Sequence, residues 1–396
     1  MIKLSSIFLF PILAFANFNF GKDLSFESFE REGFKKVLSK KVFSSPGWPQ
    51  DVSFKERDYE VEYSINQKLT DFAVKYLKRY RSDHASIVVM DNNTGSILTA
   101  VDFQRKGNVV GKSMAFSSAH PAASVFKVIT AADLLENTAV KKGTSFSYNG
   151  KSTTLYKYQL KDKKNRWTRK IVFEKAFAWS NNVVFGKAAI KNTNFESLFN
   201  TAHKFGFNEE LLQLLETGSS KLFEGTTDFN LAELATGFNR KTMISPLHGA
   251  LIASIIANEG VLKKPYIVKS IRDVKQNREV WTPKYVLSRS MSKDAALELK
   301  DMMNMTVEKG TARGAFRPWK TKKIRDIEIG GKTGTITGGL PHGKRDWFIS
   351  YAKPKDDPDD LGISVAIMIV NIEKWYIKST YLAKKIIQYY YDSLKE

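Results

Sequence analysis

The chain has 396 residues, 42% of them hydrophobic and 26% charged, a composition typical of a globular protein with one large domain or two ordinary ones. It contains no cysteine, which excludes disulfides, thiolate metal sites and cysteine nucleophiles. Five histidines without an HxxxH pair argue against a metal centre, and no cofactor is expected. The net charge of +21 is spread along the chain and favours an anionic partner.

Residues 1–16 have the features of a secretory signal peptide. Lys3 precedes an apolar stretch at 7–15, and small residues lead up to a cleavage point after Ala16. The alternative is an uncleaved anchor, but the stretch is short for a membrane span and contains Pro11. We therefore expect an exported protein.

Residues 17–58 are charged and have no long periodic pattern, which predicts a lead-in or linker segment. Regular patterns begin at Tyr59 with a helix near 66–80. Two strand-like runs around an Asn/Gly turn follow and predict a hairpin, ASIVVMD and SILTAVDF. A second strand pair lies near the other end of the chain, DWFISYA and GISVAIMIV, before a last helix at roughly 378–394.

Mostly helical patterns separate the two strand pairs. Strands at both ends with helices between them predict an α+β domain over residues 59–396. Its antiparallel sheet is closed by distant parts of the chain and flanked by helices. No other segment has the length of a membrane span.

Three S-x-x-K motifs occur, and helix geometry distinguishes them. Ser350 lies in a predicted strand, where residues three apart point to opposite faces. Ser292, beside the second motif at Ser290, fits the N-cap of an amphipathic helix. Ser124 and Lys127 instead open an almost wholly apolar helical run, and positions i and i+3 of a helix share a face.

A lysine buried in that run would have a lowered pKa and would accept the proton of the serine. Lys127 is therefore a candidate general base for a Ser124 nucleophile. The alternative is a lysine that extends to solvent beside an N-cap serine.

Two further motifs follow in the chain. Ser180-Asn181-Asn182 lies between two helical stretches and offers a hydroxyl and an amide. The only K-T-G comprises Lys332, Thr333 and Gly334, and Thr335 follows it. Glycines beside Lys332 allow a ligand to approach a strand edge, while the ammonium and the threonine hydroxyls suit a carboxylate.

S-x-x-K, S-x-N and K-T-G in this order resemble the motif set of penicillin-binding proteins and serine β-lactamases. The resemblance extends over roughly residues 59–396, through stretches such as HPAASVFKVITAADLLE, EKGTARGAF and DWFISYA. It implies a transpeptidase-type penicillin-binding domain with an all-helical subdomain. It also implies a location in the periplasm or at the outer face of the cytoplasmic membrane.

The resemblance also implies roles for these residues. Ser124 would attack the bond between the terminal D-alanines of a peptidoglycan stem peptide, and Lys127 would take its proton. Ser180 would relay the proton to the leaving amine, and Asn182 would hold the substrate amide. Lys332, Thr333 and Thr335 would bind the terminal carboxylate, and the backbone N–H groups of Ser124 and Thr335 would form an oxyanion hole.

Several alternatives stay open. A D,D-carboxypeptidase or endopeptidase would share the acyl-enzyme, a serine β-lactamase would hydrolyse it quickly, and a β-lactam sensor or wall scaffold would not turn over peptides. Glu196 and Glu216 are carboxylates downstream of S-x-N, but neither has the companions of a β-lactamase motif. Asn181, His248 and Ser350 depart from residues common in relatives and leave substrate preference open.

The expected partners are peptidoglycan stem peptides, β-lactams and, because of the basic charge, an anionic wall or membrane surface. Nucleic acid is not expected, since the sequence has no zinc finger, RRM aromatic pattern or helix-turn-helix signature. The basic charge is also consistent with an ordinary solvated surface.

Overall fold

The computed structural model describes residues 28–317 and 326–394 of the chain. The predicted signal segment, residues 1–16, lies outside these ranges. Within them, no helix has both the length and the apolar character needed to cross a bilayer.

The strands, in chain order, are β1 (Asp51–Phe54), β2 (Arg57–Tyr63), β3 (His84–Asp91), β4 (Ile97–Gln104), β5 (Val109–Gly111), β6 (His120–Pro121), β7 (Ser145–Tyr148), β8 (Arg169–Val172), β9 (Met243–Ile244), β10 (Val261–Lys263), β11 (Val268–Asp273), β12 (Arg278–Trp281), β13 (Leu287–Arg289), β14 (Ile327–Gly338), β15 (Gly343–Pro354) and β16 (Ile363–Asn371).

The α-helices are α1 (Ser28–Ser44), α2 (Gln67–Tyr80), α3 (Ser113–Phe116), α4 (Lys127–Asn137), α5 (Phe173–Ala178), α6 (Asn182–Asn192), α7 (Phe195–Lys204), α8 (Asp228–Thr236), α9 (Pro246–Ala257), α10 (Lys293–Glu308), α11 (Arg313–Phe316) and α12 (Ser379–Ser393). Short 3-10 turns lie at Lys106–Asn108, Ala123–Phe126 and Lys157–Leu160.

Six antiparallel strands form the central sheet, in the order β14-β15-β16-β3-β4-β5. The two predicted strand pairs are both present, and β16 joins them by pairing with β3 from Ile363–Asp91 to Val370–His84. The expected α+β fold, with a sheet built from distant parts of the chain, is therefore confirmed.

Helices cover both faces of this sheet. Alternate strand residues such as Val88 and Met368 pack on the side of α9, which is buried along its whole length. Their neighbours, such as Ile87 and Ile367, pack against apolar residues of α2 and α12. The sheet is hence the middle layer of three, and its apolar strands bury both faces.

The chain before Tyr59 is more structured than a linker. Helix α1 buries Phe34, Leu38 and Val42, and β1 pairs with β2 in a second sheet of order β1-β2-β11-β12. The predicted boundary after residue 58 falls inside β2, which begins at Arg57, pairs with β1 up to Glu60 and pairs with β11 from Tyr59 onward. The described part of the lead-in segment thus packs on the rest of the fold.

Helices α4 to α8 form the helical part of the molecule beside the sheet. Helix α4 contacts α6, α7, α8 and α10, and the 3-10 turn before it contacts β14. The start of α4 therefore lies where the helical layer meets the edge strand of the sheet, which brings the three sequence motifs together.

Candidate active site

Ser124 lies in the 3-10 turn Ala123–Phe126, which leads directly into α4. Ala123, just before it, has φ 51°, a left-handed conformation that is unfavourable for an L-residue other than glycine. Gly237 packs against this backbone so closely that a Cβ there would lie 1.8 Å from the Ala123 carbonyl oxygen. Close packing thus holds the residue before the serine in a strained conformation.

Lys127 is fully buried beneath Ser124. Its Nζ lies 2.9 Å from Ser124 Oγ, 2.7 Å from Asn182 Oδ1 and 2.7 Å from the Thr236 carbonyl oxygen. Burial holds the pKa of Lys127 well below its usual value, and the charge of Lys332 lowers this pKa further. Extension of Lys127 to solvent, the alternative considered from the sequence, is excluded.

These three contacts match the hydrogen-bonding capacity of a neutral amine. The Thr236 carbonyl can only accept, and Asn182 accepts through Oδ1 because its Nδ2 donates to the Thr153 carbonyl at 3.0 Å. The two N–H groups of an uncharged Lys127 satisfy these acceptors. Its lone pair then faces the Ser124 hydroxyl, the arrangement that a general base requires.

Ser180 sits at the end of α5 with φ 55°. The N–H of Asn181 bonds to the Ala176 carbonyl at 2.8 Å, so the helix ends in a left-handed turn of the kind usually made by glycine. This turn directs the Ser180 hydroxyl to Lys332, whose Nζ lies 3.0 Å away. Lys332 is fully buried on β14, and burial lowers its pKa to about 7.

Asn182 begins α6, and Asn181 caps that helix by accepting from the Val184 N–H. Both polar ends of the Asn182 side chain are used inside the protein, by Lys127 and Thr153. The amide therefore positions the lysine in the free protein.

Strand β14 carries the K-T-G motif and lies beside the turn that contains Ser124. A Cβ at Gly334 would lie 3.3 Å from Ala123 Cβ and 3.2 Å from Val125 Cγ2, so the strand approaches the serine turn closely at this glycine. Thr333 and Thr335 share a strand face, and Thr333 Oγ1 lies 2.6 Å from Thr311 Oγ1.

These elements enclose a cleft of about 300 Å³. Six of the eight predicted site residues line it, and the two lysines lie behind it: Ser124, Ser180, Asn182, Thr333, Gly334 and Thr335 form the surface, with Lys127 and Lys332 buried beneath. The structure thus brings all eight together.

Nine further residues line the cleft and were not predicted from the sequence: Thr153, Trp179, Gly237, Phe238, Thr311, Asp346, Trp375, Lys378 and Thr380. Two of them lie in stretches that carry part of the resemblance, Thr311 in EKGTARGAF and Asp346 in DWFISYA, and these stretches were the usable signal. Asp346 is nearly buried, and desolvation raises its pKa to about 6. Within residues 28–317 and 326–394, no His, Cys, Asp and Glu cluster could hold a metal ion.

The other two S-x-x-K motifs are structural. Ser350 is buried in β15 and donates to the Val365 carbonyl at 3.3 Å. Ser292 caps α10 by accepting from the Ala295 N–H, as predicted, and Ser290 donates to the Lys204 carbonyl.

Known proteins share this fold. The family model of the penicillin binding protein transpeptidase domain matches residues 85–388. The D,D-transpeptidase domain of a peptidoglycan glycosyltransferase from Eggerthella lenta has a TM-score of 0.66 at 22% identity, covering 90% of this chain and 87% of that one. An imipenem acyl-enzyme of penicillin-binding protein A from Mycobacterium tuberculosis has a TM-score of 0.63 at 19% identity, covering 83% and 79%.

The fold and the paired lysine–serine motifs define the class of serine acyl-transfer domains. The chain belongs to the penicillin-binding protein transpeptidase family, whose model covers most of its length. Peptidoglycan D,D-transpeptidase PbpA of Mycolicibacterium smegmatis is 26% identical over 270 residues, which are 64% of this chain. The chain spans about half (50%) the length of that relative.

Proposed function

We propose that the chain is a D,D-transpeptidase that acts on peptidoglycan stem peptides through an acyl-enzyme on Ser124 and is acylated there by β-lactams. The observation that carries the proposal is the buried Lys127, whose Nζ lies 2.9 Å from Ser124 Oγ with its other two neighbours acting as acceptors. The name of the Mycolicibacterium relative and the imipenem complex of the M. tuberculosis protein agree with it.

In the acylation step, neutral Lys127 takes the hydroxyl proton as Ser124 Oγ attacks the carbonyl carbon between the two terminal D-alanines. A C–O bond forms, the peptide C–N bond breaks, and the leaving amine needs a proton. Ser180, whose hydroxyl lines the cleft and contacts Lys332, relays to the amine the proton that Lys127 has taken up, so that Lys127 and Ser180 both end the step in the protonation state in which they began it. D-Alanine departs, and an amine acceptor then attacks the ester to form a cross-link.

The terminal carboxylate of the substrate binds at the hydroxyls of Thr333 and Thr335, with protonated Lys332 supplying positive charge from beneath. The backbone N–H groups of Ser124 and Thr335 form the oxyanion hole, supported by the close approach of β14 to the serine turn. Asn182 holds the substrate amide by exchanging its bond to the Thr153 carbonyl.

Water in place of the amine acceptor gives carboxypeptidase or endopeptidase activity through the same acyl-enzyme. A β-lactamase needs a base beside the ester to activate water. Glu196 and Glu216 are both exposed, and neither is among the residues that line the cleft. Their positions favour a long-lived acyl-enzyme.

We also propose that residues 1–16 direct export, so that the domain acts in the periplasm or at the outer face of the membrane. The catalytic domain is proposed to cover residues 59–396, with residues 17–58 as a lead-in whose described part packs on that domain through α1, β1 and the start of β2. A location outside the cytoplasm fits a wall substrate.

Intact mass spectrometry with and without a penicillin, on wild type and Ser124→Ala, tests the proposal. A stable adduct of one drug molecule on wild type that is absent from Ser124→Ala is expected. No adduct with intact drug would refute an acylating site, and no adduct with hydrolysed drug would identify a β-lactamase. Release of D-alanine with and without an amine acceptor then separates transpeptidase from carboxypeptidase.

A further inference from the structure

Residues 151–170, here called the basic loop, concentrate the charge of the chain. The loop has eight basic residues and one acidic residue, Asp162, and its net charge of +7 is a third of the total of +21. All eight basic side chains are exposed. Such a density of one sign attracts anionic ligands.

The loop is built on a buried frame. Gln159 is 1% exposed, accepts from the Tyr156 N–H at 3.0 Å and donates to the Lys151 carbonyl at 3.1 Å. Leu155 is also buried and packs with Leu160 over Gly186 of α6. The charged side chains therefore project from a fixed backbone.

Three large aromatic side chains of the basic loop face solvent. Tyr156 is 53% exposed, Tyr158 65% and Trp167 69%. The two tyrosine rings stack with centroids 5.6 Å apart and an angle of 10° between their planes. Exposed aromatic surface held in a fixed position is typical of an interaction site.

The basic loop also forms one side of a groove of about 880 Å³. Lys163 and Lys164 line it from the basic loop, and Lys187 and Lys191 line it from α6. Asp162, the one acid among its lining residues, contacts Lys187. The groove suits a chain-like anion, whereas the flat surface of a bilayer would not enter it.

The basic loop is also connected to the cleft. Thr153 lines the cleft, and its carbonyl accepts from Asn182 at 3.0 Å. A polymer bound along the loop would therefore lie next to the serine.

We propose that the basic loop and its groove bind the peptidoglycan polymer outside the catalytic cleft, an inference that rests on the proposed function. The lysines and arginines pair with stem-peptide carboxylates, and the aromatic rings stack on the apolar faces of sugar rings. The loop thereby holds a strand beside the cleft while individual peptides react.

The test is co-sedimentation of the full chain, carrying Ser124→Ala, with insoluble peptidoglycan sacculi stripped of attached polymers. The charge variant is Lys163→Glu/Lys164→Glu/Arg166→Glu, and the aromatic variant is Tyr156→Ser/Tyr158→Ser/Trp167→Ser. Arg272→Glu/Lys275→Glu/Arg278→Glu, on the exposed β11–β12 hairpin, changes the net charge equally and is the control.

We expect both loop variants to bind sacculi at least about tenfold more weakly than the control variant. Binding of the parent should also weaken as salt rises from about 0.05 M to about 0.5 M, because screening shortens the reach of surface charge. The same loop variants with Ser124 intact should form the penicillin adduct at the wild-type rate.

Equal binding by the loop variants and the control would overturn the proposal. So would binding to anionic phospholipid vesicles with none to sacculi. Failure of the wild-type chain, with Ser124 intact, to form a penicillin adduct would contradict the proposed catalytic function instead, and sacculus binding does not depend on that measurement.

Discussion

Lys332 Nζ lies 3.0 Å from Ser180 Oγ, so the cleft contains two buried lysine–serine pairs, the other being Lys127 with Ser124. Burial lowers the pKa of both lysines, that of Lys127 well below its usual value and that of Lys332 to about 7. The two acceptors that contact Lys127 suit a neutral amine, whereas Lys332 retains part of its charge near neutral pH.

The second-order rate constant for acylation by a penicillin should therefore have a bell-shaped pH dependence. Its acid limb reflects protonation of Lys127, and its alkaline limb, near pH 7, reflects loss of charge on Lys332. Lys332→Arg should slow acylation but remove the alkaline limb up to about pH 9, because arginine stays charged. An alkaline limb that stays near pH 7 in Lys332→Arg would rule out Lys332 as its source.

Asn182→Asp should shift the acid limb upward. A carboxylate 2.7 Å from Lys127 Nζ would favour the ammonium and raise the lysine pKa toward its usual value. At pH 7 the acylation rate should fall at least about tenfold. Asn181→Asp is the matched control, since aspartate caps α6 as well as asparagine does. An unmoved acid limb in Asn182→Asp would contradict a base role for Lys127.

Gly237→Ala should distort the 3-10 turn Ala123–Phe126, which contains Ser124. The new Cβ would meet the Ala123 carbonyl oxygen at 1.8 Å, and Gly237 has φ 66°. We expect the free energy of unfolding to fall by at least about 2 kcal/mol and acylation to slow about a hundredfold. Gly143→Ala is the control, because a Cβ there meets nothing within 4 Å. Urea unfolding and penicillin labelling measure both effects, and equal behaviour of the two variants would refute the packing argument.

His248 should make the fold sensitive to acid. It is fully buried, donates from Nε2 to the Phe205 carbonyl at 2.8 Å and accepts at Nδ1 from Ser220 at 2.6 Å. Burial lowers its pKa to about 4, so between about pH 6.5 and pH 4 the unfolded chain gains a proton that the folded chain does not. The stability from this group is present above pH 6.5 and is lost on acidification.

Wild type should consequently lose about 3 kcal/mol more unfolding free energy than His248→Gln between pH 7 and pH 4. Glutamine retains a donor and an acceptor but does not titrate. Denaturant unfolding at a series of pH values measures the difference. Parallel pH profiles for the two proteins would show that His248 does not titrate in this way.

Most features that were predicted correctly follow from patterns within short stretches of the sequence. The α2 helix, the strand pairs and the closeness of Ser124 and Lys127 followed from side-chain periodicity, from residues that share a helix face and from motif order. The aromatic residues that line the cleft were not predicted. Trp179, Phe238 and Trp375 are far apart in the sequence and become neighbours only in the folded chain, so no pattern within a short stretch of sequence indicates them.

Helix α1 of the lead-in segment was not predicted, for a different reason. Phe34, Leu38 and Val42 are spaced four residues apart and form one helical stripe, which is buried in the fold. The lysines around them give the segment a charged composition. The prediction of a lead-in or linker rested on this composition and not on the spacing of the apolar residues. The stripe was a usable signal for a packed helix.

The order of the strands in the central sheet also determines the stage of folding at which the cleft around Ser124 is complete. Strand β3 pairs with β16, more than 270 residues later, and the K-T-G strand β14, which contacts the turn at Ser124, joins the rest of the sheet through β15 and β16. Contacts so distant in sequence form slowly and late in folding. An emerging chain would therefore contain the serine long before it could react, and covalent capture of a fluorescent penicillin would time the completion of folding.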